Sequence, residues 1–324
     1  MQQDRSCLFA LAVLAGLVLA SPATAQIAKA PAEVQQKIAE MGAKLDADLV
    51  KTTMGLYVPL VRAAPPLDHV KVATDIAYGD DPLEKLDIFQ PENQQKMAIV
   101  VFVHGGGYVR GDKSGNGPIY DNVAAFFARQ GMLGLNVNYR LAPKDPWPAA
   151  TEDIGKVVTW IKANAGAYGG DPERIFLMGH SAGATHVASY VLDPALQPKE
   201  GAGIVGAILV SGEYLLPAAN VPVENIAPNL RAYFGDDVSK YAERSPITHV
   251  RESKLPLLLA TAEYDPVFLA VPTYQLAQQL CARDGKCPCF AWLKGHNHIS
   301  EMASFDTADQ QFPLEVADFV RRTR

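Results

Sequence analysis

The sequence predicts an α/β fold in which helices cover both faces of a mostly parallel sheet. Short continuous apolar runs, such as Met97–Val103 and Leu255–Thr261, are typical of strands that are buried on both faces. Amphipathic segments such as Thr151–Asn164, with isoleucines and valines on one face, separate these runs. Because strands and helices alternate along the chain, parallel strands joined by crossover helices are expected.

Eight strands and five principal helices are predicted from these patterns. The strands are Val70–Tyr78, Lys85–Gln90, Met97–Val103, Met132–Asn138, Ile175–Met178, Gly206–Val210, Leu255–Thr261 and Cys289–Leu293. The helices are Ile119–Gln130, Thr151–Asn164, Ala182–Leu192, Val271–Leu280 and Val316–Arg322. The first two strands alternate apolar and polar residues, so we expect an antiparallel pair joined by the turn at residues 79–82. No internal repeat interrupts this order, so residues 70–324 are predicted to form one domain.

Two further segments are predicted from their spacing and composition. Residues 31–62 have apolar side chains at intervals of three and four, which predicts a helical arm within residues 26–69. Residues 214–250 are rich in proline and asparagine and break the alternation of strands and helices. An insertion there would lie over the carboxyl ends of the strands, so it is predicted to be a small cap above the active site.

The net charge and the amino-terminal residues indicate possible binding partners and the cellular location. The formal charge of −6 includes no long run of one sign, which argues against binding to nucleic acid. Arg5 precedes the apolar run Leu8–Ala20, and Ala23-Thr24-Ala25 resembles a signal-peptidase site. Since this run is too short to span a bilayer comfortably, residues 1–25 are predicted to be a cleaved signal peptide, with an uncleaved anchor as the alternative. The mature protein is then exported to the periplasm or secreted, without stable insertion in a membrane.

The three cysteines outside this signal segment lie close together near the carboxyl end of the chain. An oxidising compartment favours a disulfide, and we expect Cys281 to pair with Cys287 or with Cys289. A bond between Cys287 and Cys289 would strain disulfide geometry because only one residue separates them. A metal site is disfavoured because no fourth ligand lies nearby.

Two glycine-rich motifs, each directly after a predicted strand, carry the strongest functional signal. Gly179–Gly183 reads Gly-His-Ser-Ala-Gly and fits the G-x-S-x-G turn that holds a nucleophilic serine clear of the sheet edge. His104–Gly107 reads His-Gly-Gly-Gly and fits the loop whose amides face the oxyanion of an acyl-transfer intermediate. Ser181 is therefore the candidate nucleophile. The candidate oxyanion-hole amides are those of Gly106, Gly107 and Ala182.

The base and the acid are expected after the last strands, because this chemistry follows the chain order serine, acid, histidine. His298 is the preferred base, since the loop after the last strand must extend far enough to reach a serine on a central strand. His296 is the alternative. Asp265, which follows the strand Leu255–Thr261 and precedes a proline, is the preferred orienting acid, and Glu263 is its competitor.

In combination, the motifs resemble the α/β-hydrolase esterases of the hormone-sensitive lipase-like and bacterial feruloyl esterase-like groups. The segments that carry the resemblance are His104–Gly107, Asn138–Pro143, Pro148–Asp153, Asp171–Ile175 and Gly179–Gly183. The resemblance covers about residues 70–322. It implies the α/β-hydrolase fold, with an eight-stranded sheet and a small cap, and a triad of Ser181, Asp265 and His298. It also implies hydrolysis of carboxylic esters with no cofactor and no metal.

The expected function is a serine carboxylesterase that hydrolyses short-chain acyl or aryl esters through an acyl-enzyme. An amidase or arylformamidase on the same triad is the alternative, because both reactions use the same groups. A non-catalytic binding module is a third reading, and the presence of all three triad candidates argues against it. Four side chains near the predicted site are expected to line the substrate pocket: Tyr108, Tyr214, Val267 and Phe268.

Overall fold

The computed structural model describes residues 29–114 and 117–323, and the predicted signal segment 1–25 lies outside them. Eight strands form one sheet in the order β1-β2-β4-β3-β5-β6-β7-β8. The strands are β1 (Val70–Ala77), β2 (Lys85–Pro91), β3 (Met97–Val103), β4 (Leu133–Val137), β5 (Gly170–His180), β6 (Gly206–Val210), β7 (Leu257–Tyr264) and β8 (Cys289–Asn297).

Strand direction divides the sheet into an antiparallel edge and a parallel remainder. β1 pairs antiparallel with β2, and β2 pairs antiparallel with β4. All other neighbouring strands, from β4 to β8, run parallel. The carboxyl ends of β3, β5, β6, β7 and β8 therefore lie at one edge of the sheet, where active sites of such folds form. The predicted fold class is confirmed.

Helices cover both faces of the sheet. The described helices are α1 (Ala32–Met41), α2 (Ala47–Arg62), α3 (Asp121–Arg129), α4 (Ala149–Asn164), α5 (Ala182–Leu192), α6 (Pro228–Phe234), α7 (Tyr241–Arg244), α8 (Val267–Asp284), α9 (Ser300–Ala303) and α10 (Gln311–Arg322). α3 and α10 share one apolar cluster with one face of the sheet. α4, α5 and α8 contribute to the larger cluster on the other face.

The segment predicted as one helical arm contains two helices. α1 ends at Gly42, whose φ of 65° disfavours residues with a side chain, and Asp46 begins α2 by accepting a hydrogen bond from the Leu49 amide at 2.8 Å. The apolar spacing runs on through this break, which is why periodicity alone missed it. Tyr57 and Val61 of α2 pack in one cluster with Ala303 of α9.

Residues 214–250, the predicted cap, contain α6, α7 and short 3₁₀ turns. Tyr233 of α6 stacks on Tyr108 with ring centroids 5.2 Å apart, so this segment packs against the loop after β3. Asn229, also of α6, is the nearest neighbour of the free face of Gly107.

The disulfide joins Cys281 of α8 to Cys287, and Cys289 is a free, exposed thiol at the start of β8. Of the two pairings that the sequence left open, the structure contains the one between Cys281 and Cys287. None of the described helices combines the length and the apolar character that a membrane span needs.

Candidate active site

Ser181 occupies the sharp turn between β5 and α5. Its φ of 56° and ψ of −125° are an uncommon conformation for a residue with a side chain, as expected at a strained strand-to-helix turn. A Cβ atom on Gly179 would collide with the carbonyl of Gly183, and one on Gly183 would collide with the carbonyl of Val103. The two glycines are therefore required for the close approach of the elbow to β3.

The glycine loop after β3 packs directly against this elbow. A Cβ atom on Gly105 would lie 2.9 Å from the Cβ atom of Ser181, so only glycine fits between them. Within the described residues, no protein acceptor receives a hydrogen bond from the amides of Gly106 and Gly107. The amide of Ala182 opens α5, where backbone N–H groups lack intrahelical partners. The three amides are free to bind an anion beside Ser181.

His104 stabilises the glycine loop from within. Its Nδ1 atom lies 2.7 Å from the carbonyl oxygen of Gly105, and its ring stacks on Tyr139 with centroids 4.5 Å apart. Complete burial lowers the pKa of His104, so the neutral ring donates to the carbonyl. This contact orders the loop without placing His104 in contact with the reacting atoms.

His298 and Asp265 form a buried hydrogen-bonded pair at the carboxyl ends of β8 and β7. The Nδ1 atom of His298 lies 2.9 Å from Oδ1 of Asp265. The Oδ2 atom of Asp265 accepts hydrogen bonds of 2.8 Å from the hydroxyl of Thr261 and from the amide of Ala262. Burial acts to raise the pKa of Asp265, but the hydrogen bonds, that from His298 foremost, outweigh it and hold the pKa below its usual value. The carboxylate is thus ionised and aligned with the imidazole.

The competing residues from the sequence have other partners. Glu263 accepts a hydrogen bond of 2.8 Å from the amide of Gly295 and so anchors the turn before the two histidines. His296 lies 3.1 Å from the hydroxyl of Ser300 through Nδ1 and 3.5 Å from the carboxylate of Asp309 through Nε2. The structure brings Asp265 and His298 together and places Glu263 and His296 elsewhere.

Glu301, which sequence reasoning missed, is a second fully buried carboxyl group beside this pair. Its Oε1 atom lies 3.0 Å from Nε2 of His180 and 3.5 Å from Nδ1 of His298. The hydroxyl of Ser211 lies 2.9 Å from its Oε2 atom and 2.5 Å from Oδ2 of Asp265. The available signal was its position three residues after His298, which lies in the turn that leads into α9.

The hydroxyl of Ser211 contacts the carboxyl groups of both Asp265 and Glu301, and it has a single proton to donate. One hydroxyl can donate to only one of its two carboxyl neighbours, so the other must donate to it. Burial raises the pKa of Glu301 well above its usual value, and the charge of Asp265 raises it further. Neutral Glu301 therefore donates to Ser211, and Ser211 donates to ionised Asp265. This chain keeps the negative charge on the carboxylate that contacts His298.

Two of the four residues expected to line the pocket do not do so. Tyr108 is 1% exposed and Tyr214 is 0% exposed, so both are core residues. The ring of Tyr108 is enclosed by Tyr233 and Phe234, and the Tyr214 hydroxyl accepts a hydrogen bond from the Gly212 amide. Aromatic residues beside a catalytic motif suggest a pocket wall, but tertiary packing buries these two tyrosines.

The other two, Val267 and Phe268, open helix α8 and are 72% and 55% exposed. They follow Asp265 by two and three residues, so their apolar surfaces face solvent close to the pair that this carboxylate forms.

A parallel sheet with an elbow serine, a glycine loop and a histidine–carboxylate pair at its carboxyl edge defines the α/β-hydrolases. The model of the prolyl oligopeptidase family matches residues 148–322, more than half of the 324 residues. The BD-FAE family model matches residues 86–192. The chain belongs to the prolyl oligopeptidase family of α/β-hydrolases.

Two curated relatives of the chain are named as esterases. Esterase LipQ of Mycobacterium tuberculosis is 26% identical over 247 residues, covering 71% of this chain and 58% of LipQ. Isoprenylcysteine alpha-carbonyl methylesterase ICME of Arabidopsis thaliana is 32% identical over 135 residues, covering 41% of this chain and 31% of the relative. The chain therefore spans less than two thirds of the length of these relatives.

Solved structures agree in fold. An esterase of Pyrobaculum calidifontis superposes with a TM-score of 0.65 at 22% identity, over 90% of this chain and 97% of the other. Esterase B of Lactobacillus Rhamnosis (HN001) gives a TM-score of 0.67 at 17% identity, over 89% of this chain and 94% of the other. At these identities the likeness establishes the α/β-hydrolase fold.

Proposed function

We propose that the protein is a serine carboxylesterase that hydrolyses short-chain acyl or aryl esters. The observation that carries this proposal is the 2.9 Å hydrogen bond between His298 and Asp265, formed at the sheet edge that also holds Ser181. Nδ1 of His298 is engaged by Asp265, which leaves Nε2 as the atom that can take the serine proton.

In the proposed mechanism, the Ser181 hydroxyl attacks the ester carbonyl while Nε2 of His298 accepts its proton. The tetrahedral oxyanion is bound by the amides of Gly106, Gly107 and Ala182. Collapse of the intermediate breaks the ester C–O bond, and the imidazolium returns the proton to the departing alcohol. Water then attacks the acyl-Ser181 ester with His298 again as base, releasing the acid and the free hydroxyl. Asp265 orients the imidazole and stabilises its charged form.

Support for esters as the substrate class comes from the names of the relatives, among them Esterase LipC of Mycobacterium tuberculosis, which is 34% identical over 110 residues. The test is hydrolysis of 4-nitrophenyl esters of increasing acyl length, with labelling by a serine-directed phosphonate. We expect turnover of the short esters and a mass increase on the peptide that holds Ser181. Absence of both would refute the proposal.

Amide hydrolysis on the same triad is the second candidate, and the prolyl oligopeptidase family match favours it. A panel of matched amide substrates, including an aryl formamide and a proline-containing peptide, separates the two. If kcat/KM for an amide exceeds that for the matched ester, the protein is an amidase or peptidase. The reverse order is expected here.

We also propose that the protein is exported, and the Cys281–Cys287 disulfide supports this because such bonds persist in oxidising compartments. Amino-terminal sequencing of protein recovered from the exporting host should begin near Gln26. Thiol titration of that denatured, unreduced protein should find one free cysteine, Cys289. In the chain-entropy account, closing this short loop contributes about 2 kcal/mol to stability. A count of three thiols would contradict both the disulfide and this support for export.

A further inference from the structure

Glu213, three residues beyond the end of β6, is a carboxyl group that the proposed mechanism does not use. Its backbone amide donates to the hydroxyl of Thr185 at 3.0 Å. Its Oε2 atom accepts a hydrogen bond of 2.7 Å from the hydroxyl of Tyr108. The side chain is therefore held at a defined position rather than free in solvent.

Both partners of Glu213 place it beside the glycine loop and the turn that holds Ser181. Tyr108 directly follows Gly107 of the glycine loop, and the amide of Thr185 donates to the carbonyl of Ser181 at 3.2 Å, one helical turn into α5. Burial raises the pKa of Glu213, and the protonated form of His298 acts in the opposite direction, so the two groups lie within electrostatic range of each other. Glu213 thus lies between the oxyanion loop and the first turn after the nucleophile, within electrostatic range of the base.

The Glu213 carboxyl has unused capacity for hydrogen bonds and charge. An ionised carboxylate offers about four acceptor positions, and the hydroxyl of Tyr108 occupies one. In the described part of the chain, no lysine or arginine is paired with it. Burial raises its pKa, which means that the surroundings provide too little stabilisation for its negative charge. Since the residue is only partly buried, a substrate group can reach it and supply the missing positive charge.

We propose that Glu213 binds a cationic group, an ammonium or quaternary ammonium, on the ester substrate near the scissile bond. It acts as a specificity residue, held by Tyr108, and contributes no proton to the reaction. This inference rests on the proposed esterase function and names the substrate class of the same site.

The test uses two pairs of esters that have the same shape and differ by one charge. The first pair is acetylcholine and 3,3-dimethylbutyl acetate, with the charge in the alcohol. The second pair is the 4-nitrophenyl ester of trimethylammonioacetate and that of 3,3-dimethylbutanoate, with the charge in the acyl group. For each pair the measured quantity is the ratio of kcat/KM for the cationic ester to that for the neutral ester.

We expect the wild-type ratio to exceed one clearly in at least one pair, and Glu213→Gln to lower that ratio at least about tenfold. The matched control is Glu173→Gln, which removes the same charge from a glutamate that is 81% exposed near the start of β5. At roughly 3.3 Å per strand residue, this site lies about 25 Å from Ser181. The control should keep the wild-type ratio.

An inhibition assay tests the same proposal without a cationic substrate. Tetramethylammonium should compete with 3,3-dimethylbutyl acetate in the wild type and should bind at least about tenfold more weakly to Glu213→Gln. Thermal melting shows whether that variant is folded.

The possible failures can be told apart. Hydrolysis of neutral esters without any preference for the cationic partner would overturn the role of Glu213 and leave the esterase proposal intact. An equal loss for both members of a pair in Glu213→Gln would also overturn it, because the carboxylate would then act on the reaction itself. Absence of hydrolysis for all four esters would instead refute the proposed function.

Discussion

The segment Gly295-His296-Asn297-His298 supplies the histidines of two buried histidine–aspartate pairs, and the two pairs differ in their surroundings. His298 is bonded to Asp265 at 2.9 Å through Nδ1, and its Nε2 atom bonds to no other described residue. His296 has both nitrogens engaged, Nδ1 by Ser300 at 3.1 Å and Nε2 by Asp309 at 3.5 Å. The hydroxyl of Tyr57 from α2 lies 3.3 Å from the same carboxylate of Asp309.

The comparison shows that a histidine–carboxylate pair is not by itself a catalytic device. A general base needs one nitrogen held by an acceptor and the other free to take a proton. His298 meets both conditions at the edge of the sheet that carries Ser181. His296 meets only the first, and its contacts instead connect β8 with α2 and the segment before α10.

The largest difference between the two pairs is expected in catalysis. His298→Ala should lower kcat/KM for a 4-nitrophenyl ester by about 10⁴-fold or more, as should Ser181→Ala, because both remove the same proton-transfer step. His296→Ala should stay within about tenfold of the wild type. The double variant of Ser181 and His298 should lose little more than either single one. Full loss in His296→Ala with an active His298→Ala would reverse the roles of the histidines.

Substitution of the two aspartates should affect activity in the same order as substitution of the two histidines. Asp265→Asn keeps the shape but removes the charge that orients the imidazole, and a fall in kcat of about 10³ to 10⁴-fold is expected. Asp309→Asn should change kcat by less than about tenfold and should act on the melting temperature instead, because it weakens the contacts of His296 and Tyr57. Steady-state kinetics and thermal melting of the two variants measure this. Equal kinetic losses would mean that both pairs serve the reaction.

Glu301 provides a third acid for the comparison. It lies beside His298 and Asp265, but the negative charge is expected on Asp265. Glu301→Gln keeps a neutral group that can donate and accept, so kcat should change by less than about threefold. Glu301→Ala removes one hydrogen-bond partner from Ser211, which keeps Asp265, and one from His180, which keeps the carbonyl of His298. The variant should therefore reduce both kcat and the melting temperature. If Glu301→Gln lost as much activity as Asp265→Asn, the negative charge would belong to Glu301.

The smallest expected effect is on the pH dependence of stability, and it concerns His296. Burial lowers the pKa of His296 in the folded protein despite the opposing charge of Asp309. The unfolded chain, with a histidine pKa of about 6.5, then binds a proton that the folded protein does not. The contribution of neutral, buried His296 to the free energy of unfolding is therefore fully present above pH 6.5. It is lost as the pH drops below that value, by up to about 1.4 kcal/mol per pH unit.

His296→Gln removes this titration. Urea unfolding at pH 7.5 and at pH 5 should show a smaller loss of stability on acidification for the variant than for the wild type. A larger loss in the variant would mean that Asp309 prevails and that the buried histidine is protonated.

Local sequence determined those features that depend on a few adjacent residues. The two glycine motifs follow from close backbone approaches that exclude a Cβ atom, as at Gly105 and Gly183. The strands of the parallel core follow from continuous apolar runs, since both faces of such a sheet are buried. The placement of Ser181 and of the candidate oxyanion amides relies on these short-range rules, and so it could be read without a structure.

Only the tertiary structure decided which polar groups meet at the sheet edge. Parallel strands bring together residues far apart in the chain: Ser211 and Asp265 are separated by 54 positions, and His180 and Glu301 by 121. The same packing buried Tyr108 and Tyr214, directed His296 toward α2 and left Glu213 without a cationic partner among the described residues. Such choices depend on which side chains share a buried space, because burial and proton sharing are properties of the assembled site and leave no periodic trace in the sequence.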